Sequence, residues 1–213
     1  GYLIKAKELC TANNTLFIAD EVQTGVARTG RLLASCGNCS CIDKNCSGTP
    51  EVKPDILILG KAISGGVYPV SAVLANNAIM DVIKPGQHGS TFGGNPIAAK
   101  VVIAALEVVK DEKLAENAQI LGELFRSEMQ RIIDSSDLIL KVRGKGLLNA
   151  IIVNDTEESD TAWNLCLALM KNGLLAKPTH GNIIRFAPPL VMTREELLEC
   201  VAIIEKTIKE FKK

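Results

Sequence analysis

The apolar residues of the chain fall into short continuous runs and helical stripes that alternate along its length. Leu3, Ala6 and Leu9-Cys10 recur at helical spacing, and Asn13-Asn14 offers a stop. Residues 15–19 (TLFIA) and 55–59 (DILIL) are short apolar runs of the kind that form buried parallel strands. Residues 67–75 read as a further strand and 78–83 as a short helix ended by Lys84-Pro85-Gly86. Asn95 and Pro96 suit the N-cap and first turn of a helix over 97–109. Leu114, Ala118, Leu121 and Phe125 mark a second helix, running to about Ile133.

Beyond it the pattern changes. Strands are expected over 138–143 and 147–153, joined by Gly144-Lys145-Gly146, whose Gly-x-Gly we read as a turn rather than a phosphate cradle. A helix over 161–172 is stopped by Gly173. Short strands follow at 174–177 and 183–187, and Thr193 with Glu196 forms a capping box that opens a terminal helix over 193–211. The helix-then-strand rhythm of the first part predicts an α/β domain with a mostly parallel sheet, and the second part a small α+β domain. The change is placed near Leu106, giving domains 1–105 and 106–213.

Composition narrows the function classes. Of 213 residues 47% are apolar, enough for a substantial core, and 24 basic side chains balance 24 acidic ones. A chain without net charge and with few aromatics argues against a nucleic-acid partner, and the lack of any long apolar run argues against a membrane span.

Candidate chemistry sits where the apolar runs end. Gly60-Lys61 follows the run at 55–59, at the carboxyl end of a strand, where ligands of open α/β sheets bind. With apolar neighbours Lys61 could lose its proton and act as a nucleophile; the plainer alternative is a surface lysine. Asp20 ends the run at 15–19 and Gln23 lies three residues on. Taken singly, Asp20 fits a polar strand terminus. Together, a lysine, a carboxylate and a third donor can surround the ring of pyridoxal phosphate. Ser90 and Thr91 precede the helix start at Asn95-Pro96, a natural phosphate site. Arg185 lies between Ile184 and Phe186, on a strand from which a guanidinium can grip a carboxylate with two hydrogen bonds. A structural ion pair is the alternative there.

Residues 35–52 are polar, rich in Ser, Asn and Gly, and hold Cys36, Cys39, Cys41 and Cys46. Four thiolates can enclose zinc, but the spacing lacks two separated knuckles, so a Cys-rich surface loop without metal is the expectation.

Four motifs in this order, ADEVQTGVARTGRLLA, KPDILILGKAISGG, HGSTFGGNP and IIRFAPPL, closely resemble the class III aminotransferases, fold-type I enzymes that use pyridoxal phosphate. VRGKGLLNAI and GLLAKPTHGNIIRFAPPL place the chain with one substrate branch of that class. The resemblance covers nearly the whole chain except 35–52, which reads as an insertion. It implies that Lys61 carries the cofactor, Asp20 holds its pyridine nitrogen and Gln23 its ring oxygen. It implies that Ser90 and Thr91 reach the cofactor phosphate of the neighbouring subunit of a homodimer, and that Arg185 binds the carboxylate of an amino-acid or keto-acid substrate. It further implies an intracellular enzyme, of the mitochondrial matrix or the cytoplasm. Gly1-Tyr2-Leu3 resembles a point well inside the large domain, so about the first half of the enzyme is expected to precede it, and residues 1–213 alone to be inactive. A truncated paralogue without turnover and a metal-stabilised interaction module are the readings from other classes.

Overall fold

In the computed structural model, which describes residues 1–36 and 52–211, the chain divides into two units, Gly1–Glu116 and Asn117–Lys213. Leu106, near which the change was expected, lies inside an unbroken helix, Pro96–Asp111.

The first unit comprises α1 (Tyr2–Ala12), β1 (Ile18–Asp20), β2 (Ile56–Leu59), β3 (Ala72–Ala75), α2 (Asn77–Met80) and α3 (Pro96–Asp111). β1 and β2 run parallel, with Asp20 opposite Ile58, whereas β3 returns antiparallel, with Ala72 opposite Leu59. Among the described residues this sheet is therefore mixed, not mostly parallel. The link from β2 to β3 carries a 3-10 turn, Lys61–Ser64, and no crossover helix, which a parallel partner would need. The expected strand at 67–75 is confined to Ala72–Ala75, and Pro69, which has no ladder donor to offer, lies outside it.

Lys7 Nζ donates to Asp55 Oδ2 at 2.5 Å, and the same oxygen accepts the Phe17 N–H at 2.7 Å. One carboxylate thus ties α1 and the approach to β1 to the start of β2. Asn95 caps α3 by accepting the Ala98 N–H at 2.8 Å, with Pro96 in the first turn, as the sequence predicts. Few side chains of these elements are covered. None in α1 or the three strands is fully buried, and Ala98 is the buried residue of α3. The buried residues gather instead in the segment after β1 (Glu21, Val26, Ala27, Thr29) and in the turn after β2 (Ile63, Ser64).

The two described ends of the Cys-rich stretch meet. Ser35 and Cys36 are buried in a 3-10 turn, Ala34–Cys36, and the buried Val52 donates its N–H to the Ser35 carbonyl at 3.3 Å. Cys39, Cys41 and Cys46, and with them the zinc question, lie outside the described residues.

The second unit holds most of α4 (Leu114–Ile133), then β4 (Ile139–Lys145), β5 (Leu148–Val153), α5 (Thr161–Lys171), β6 (Lys177–His180), β7 (Ile183–Phe186) and α6 (Arg194–Glu210). The strands form an antiparallel sheet in the order β4-β5-β7-β6. Strand alternation buries Asn149, Ile151 and Val153 of β5 on one face. The helices complete the core from stripes at helical period: Ala118, Leu121, Phe125, Met129 and Ile132 of α4; Leu165 and Leu169 of α5; Leu197, Val201, Ile204 and Ile208 of α6. The capping box forms: Thr193 Oγ1 accepts the Glu196 N–H at 3.2 Å, and Glu196 Oε2 accepts the Thr193 N–H at 2.8 Å.

Two details depart from the sequence reading. Lys145 pairs with Leu148, so the hairpin turns on Gly146-Leu147 and Gly144 belongs to β4. The third strand begins at Lys177 rather than 174, because the Leu174 N–H closes α5 by donating to the Leu169 carbonyl at 2.9 Å. Pro178 is tolerated in β6 because that strand is an edge.

Candidate active site

β1 and β2 end side by side, and the first unit's chemistry gathers where they end. Asp20 is the last residue of β1 and is exposed; its Oδ1 accepts the Val22 N–H at 3.1 Å. Oδ2 has no hydrogen-bond partner among the described residues. The next carboxylate behaves differently. Glu21 is only 3% exposed and accepts the N–H groups of Ala34 at 2.5 Å and Ser35 at 2.8 Å. It anchors the 3-10 turn Ala34–Cys36. The sequence reading passed over Glu21, although strand alternation gives the signal: consecutive carboxylates at a strand end point to opposite faces.

Lys61 follows β2 after one glycine. A Cβ at Gly60 would stand 3.2 Å from Val22 Cγ1, so glycine lets the end of β2 lie close against the turn after β1. Lys61 itself adopts φ +45°, a left-handed backbone that a residue with a side chain takes at a cost on the order of 1–3 kcal/mol. Ser64 Oγ donates to the Lys61 carbonyl at 3.1 Å and holds the turn. From it Lys61 Nζ reaches Gln23 Oε1 at 3.2 Å. The expected apolar surroundings are not found: the side chain is exposed and its amine has a polar partner. Two of the residues singled out in the sequence are thus in contact, and Asp20 ends the strand alongside.

Lys61 lines a groove of about 850 Å³ together with Ser64, Tyr68, Ser90 and Asn95. Ser90 Oγ accepts the Gly93 N–H at 3.0 Å, which leaves its own hydrogen free to point to a ligand. Thr91 is exposed and is not part of that lining.

Arg185 belongs to the second unit. On β7 it lies opposite Ala150 of β5 and Lys177 of β6, exposed, with no carboxylate at ion-pair distance among the described residues. The structural ion pair considered from sequence therefore has no partner there. With Phe125, Asn149, Phe186 and Cys200, Arg185 lines a mainly apolar cavity of about 330 Å³. Asn149 is a member of this site that the sequence reading did not single out.

In the first unit a lysine at φ > 0 thus follows β2, with a carboxylate at the end of the neighbouring strand and an amide just beyond it; in the second unit Arg185 stands on β7 with no ion-pair partner among the described residues. The chain belongs to the aminotransferase class-III family, whose profile matches residues 1–208. It is 58% identical over 98% of its length to a mitochondrial ornithine aminotransferase of Drosophila ananassae, of which it covers 44%. Among solved structures, one described as an acetylornithine aminotransferase from Elizabethkingia anophelis superposes with a TM-score of 0.90 at 69% identity, covering 99% of this chain and 52% of that one. An ornithine aminotransferase from Toxoplasma gondii superposes with a TM-score of 0.88 at 48% identity, covering 98% of this chain and 47% of that one. The chain spans about half the length of the relatives it matches. No helix among the described residues is long and apolar enough to cross a membrane.

Proposed function

We propose that this chain supplies the lysine-bearing and carboxylate-binding parts of a pyridoxal-phosphate-dependent aminotransferase that passes the δ-amino group of ornithine to 2-oxoglutarate, giving glutamate 5-semialdehyde and glutamate. The observation that carries the reading is the 3.2 Å contact of Lys61 Nζ with Gln23 Oε1 at the ends of two parallel strands, one of which closes on Asp20. The residues fit the cofactor. Asp20 has an unpartnered Oδ2 for a protonated ring nitrogen, and Gln23, whose Oε1 is engaged, keeps its amide N–H for a ring oxygen. The cofactor, when bound, acts as an electron sink. Lys61 would hold it covalently, and the same amine, once released, would move the proton at the substrate carbon. Ser90 and Thr91 would offer hydroxyls to a phosphate, that of the neighbouring subunit in a homodimer. The high exposure of Phe92 (76%), next to them in sequence, and of Ile97 (64%), in the first turn of α3, supports such a partner. Arg185 would take the substrate carboxylate. The reading places the enzyme inside the cell, in the mitochondrial matrix or the cytoplasm; the Drosophila relative is named as mitochondrial.

A second reading, N-acetylornithine as the amino donor, is favoured by the 69% identity to the Elizabethkingia structure. The test compares both donors with 2-oxoglutarate, using the full-length protein. We expect kcat/KM for ornithine to exceed that for N-acetylornithine by about a hundredfold. The reverse ratio would establish the second reading, and no transamination of either donor would overturn the first.

A further inference from the structure

Arg126 of α4 is half-buried, yet no carboxylate among the described residues lies at ion-pair distance from it. Its Nη1 donates to Asn149 Oδ1 at 2.9 Å and to the Gly146 carbonyl at 3.3 Å, and Asn149 Nδ2 donates to that same carbonyl at 3.0 Å. Asn149, 3% exposed, is thus held in a closed triangle of hydrogen bonds between α4 and the tip of the β4–β5 hairpin. Two glycines make room for it. A Cβ at Gly122, one turn before Arg126, would lie 1.9 Å from the Gly146 carbonyl oxygen, and one at Gly144 would lie 2.2 Å from Asn149 Oδ1.

The register carries this clamp to Arg185. Asn149 lies opposite Phe186 and Ala150 opposite Arg185. The residue before Arg126 acts on the same place: the rings of Phe125 and Phe186 sit 5.4 Å apart, tilted by 50°. Consecutive residues of α4 therefore hold Phe186 itself and the residue paired with it, and Phe125, Asn149, Phe186 and Arg185 all line one cavity. Burial pushes the Arg126 guanidinium below its usual pKa range, opposed in part by the charge of Glu123. A half-buried cation bonded to neutral acceptors is a weak way to gain stability, since desolvating the charge offsets much of what the bonds contribute. What it supplies here is directional bonding of β5.

We propose that Arg126 and Asn149 are positioning residues for Arg185, fixing through β5 the strand from which Arg185 reaches a substrate carboxylate. The proposal rests on the reading of Arg185 given above. Glutarate, a dicarboxylate that cannot be transaminated, separates binding from reaction. Calorimetry with glutarate and steady-state kinetics with 2-oxoglutarate are carried out on the full-length holoenzyme and on Arg126→Met, Arg126→Lys, Arg185→Lys and the Arg126→Met/Arg185→Lys double variant. Arg126→Met is expected to weaken glutarate binding and raise the 2-oxoglutarate KM by about tenfold each, with kcat held within about threefold. Arg126→Lys is expected to recover part of the loss, and the double variant to bind no more weakly than Arg185→Lys alone. Unchanged glutarate affinity in Arg126→Met, or full additivity in the double variant, would overturn the proposal. If Arg126→Met does not fold, Arg126→Lys decides: weakened affinity supports the positioning role and wild-type affinity overturns it. Glutarate binding that depends on Arg185 and Arg126, in a protein that transaminates neither donor, would sink the proposed reaction while bearing out the positioning.

Discussion

Lys61 and Gln23, 38 residues apart in sequence, meet through a single hydrogen bond from Nζ to Oε1 of 3.2 Å. The bond joins the turn after β2 to the turn after β1, so it reports directly on the register of the parallel pair that precedes it. A slip of one residue in that pairing would move Lys61 away from Gln23 and turn Asp20 to the opposite face.

On the proposed reading, replacing Lys61 by alanine should abolish transamination. Both the covalent link and the proton carrier go, so turnover in the full-length enzyme should fall by about 10⁴-fold or more. Borohydride reduction of the wild-type holoenzyme followed by peptide mapping should place the label on Lys61. Label on Lys145 or Lys177 instead would refute the assignment.

Asp20→Asn should fold, since the amide oxygen can still accept the Val22 N–H that Asp20 Oδ1 accepts. On the same reading it should keep some cofactor but lose most activity, about a hundredfold or more, because a neutral amide does not stabilise a protonated ring nitrogen. Wild-type turnover in this variant would show Asp20 to be a strand terminus only.

Gly122→Ala should destabilise the second unit by about 3 kcal/mol, since the added methyl meets backbone that cannot swing aside. Denaturant unfolding of the variant measures this. A midpoint equal to wild type would mean that α4 and the hairpin tip separate at little cost.

Glu205 gives a pH signature. Hydrogen bonds from Arg131 and then Lys209 hold its carboxyl down to about 2. A carboxylate whose folded pKa lies below its unfolded value of about 4.3 stabilises the fold above that value and ceases to do so as pH falls through the folded one. Stability in wild type should therefore decline between about pH 4.5 and 2 more steeply than in Glu205→Gln. Raised salt should narrow the difference, because the cluster lies near the surface. Thermal melts across that range, with and without salt, provide the comparison.

What could be read from sequence was what local chemistry decides. Asn95-Pro96, Thr193 with Glu196, and the apolar stripe Leu114, Ala118, Leu121 and Phe125 each specify their helix within a few residues, and the structure has all three. Lys61 and Gln23 could be singled out because each lies within three residues of the end of a strand. Strand limits were harder. Val67, Tyr68 and Val70 have strand character, but Pro69 among them offers no ladder donor, so β3 begins only at Ala72. The direction of β3 depends on what its connection contains, which apolar character does not show. Asn149 was invisible for a different reason: an Asn in an apolar strand reads as a weak residue until Arg126, 23 positions earlier, is brought against it.

The positive φ at Lys61 sets stability against chemistry at one position. Glycine would occupy that backbone without strain, so on the proposed reading the most stable residue at position 61 and the only useful one are different. A library of variants sorted by heat resistance alone would drift toward Lys61→Gly and away from turnover. Selection for growth that depends on the reaction would hold lysine in place against that drift. Any programme of thermal improvement on this scaffold should therefore exclude position 61, and leave Gly65 and Gly66 as well, whose left-handed backbone already carries the residue that tolerates it.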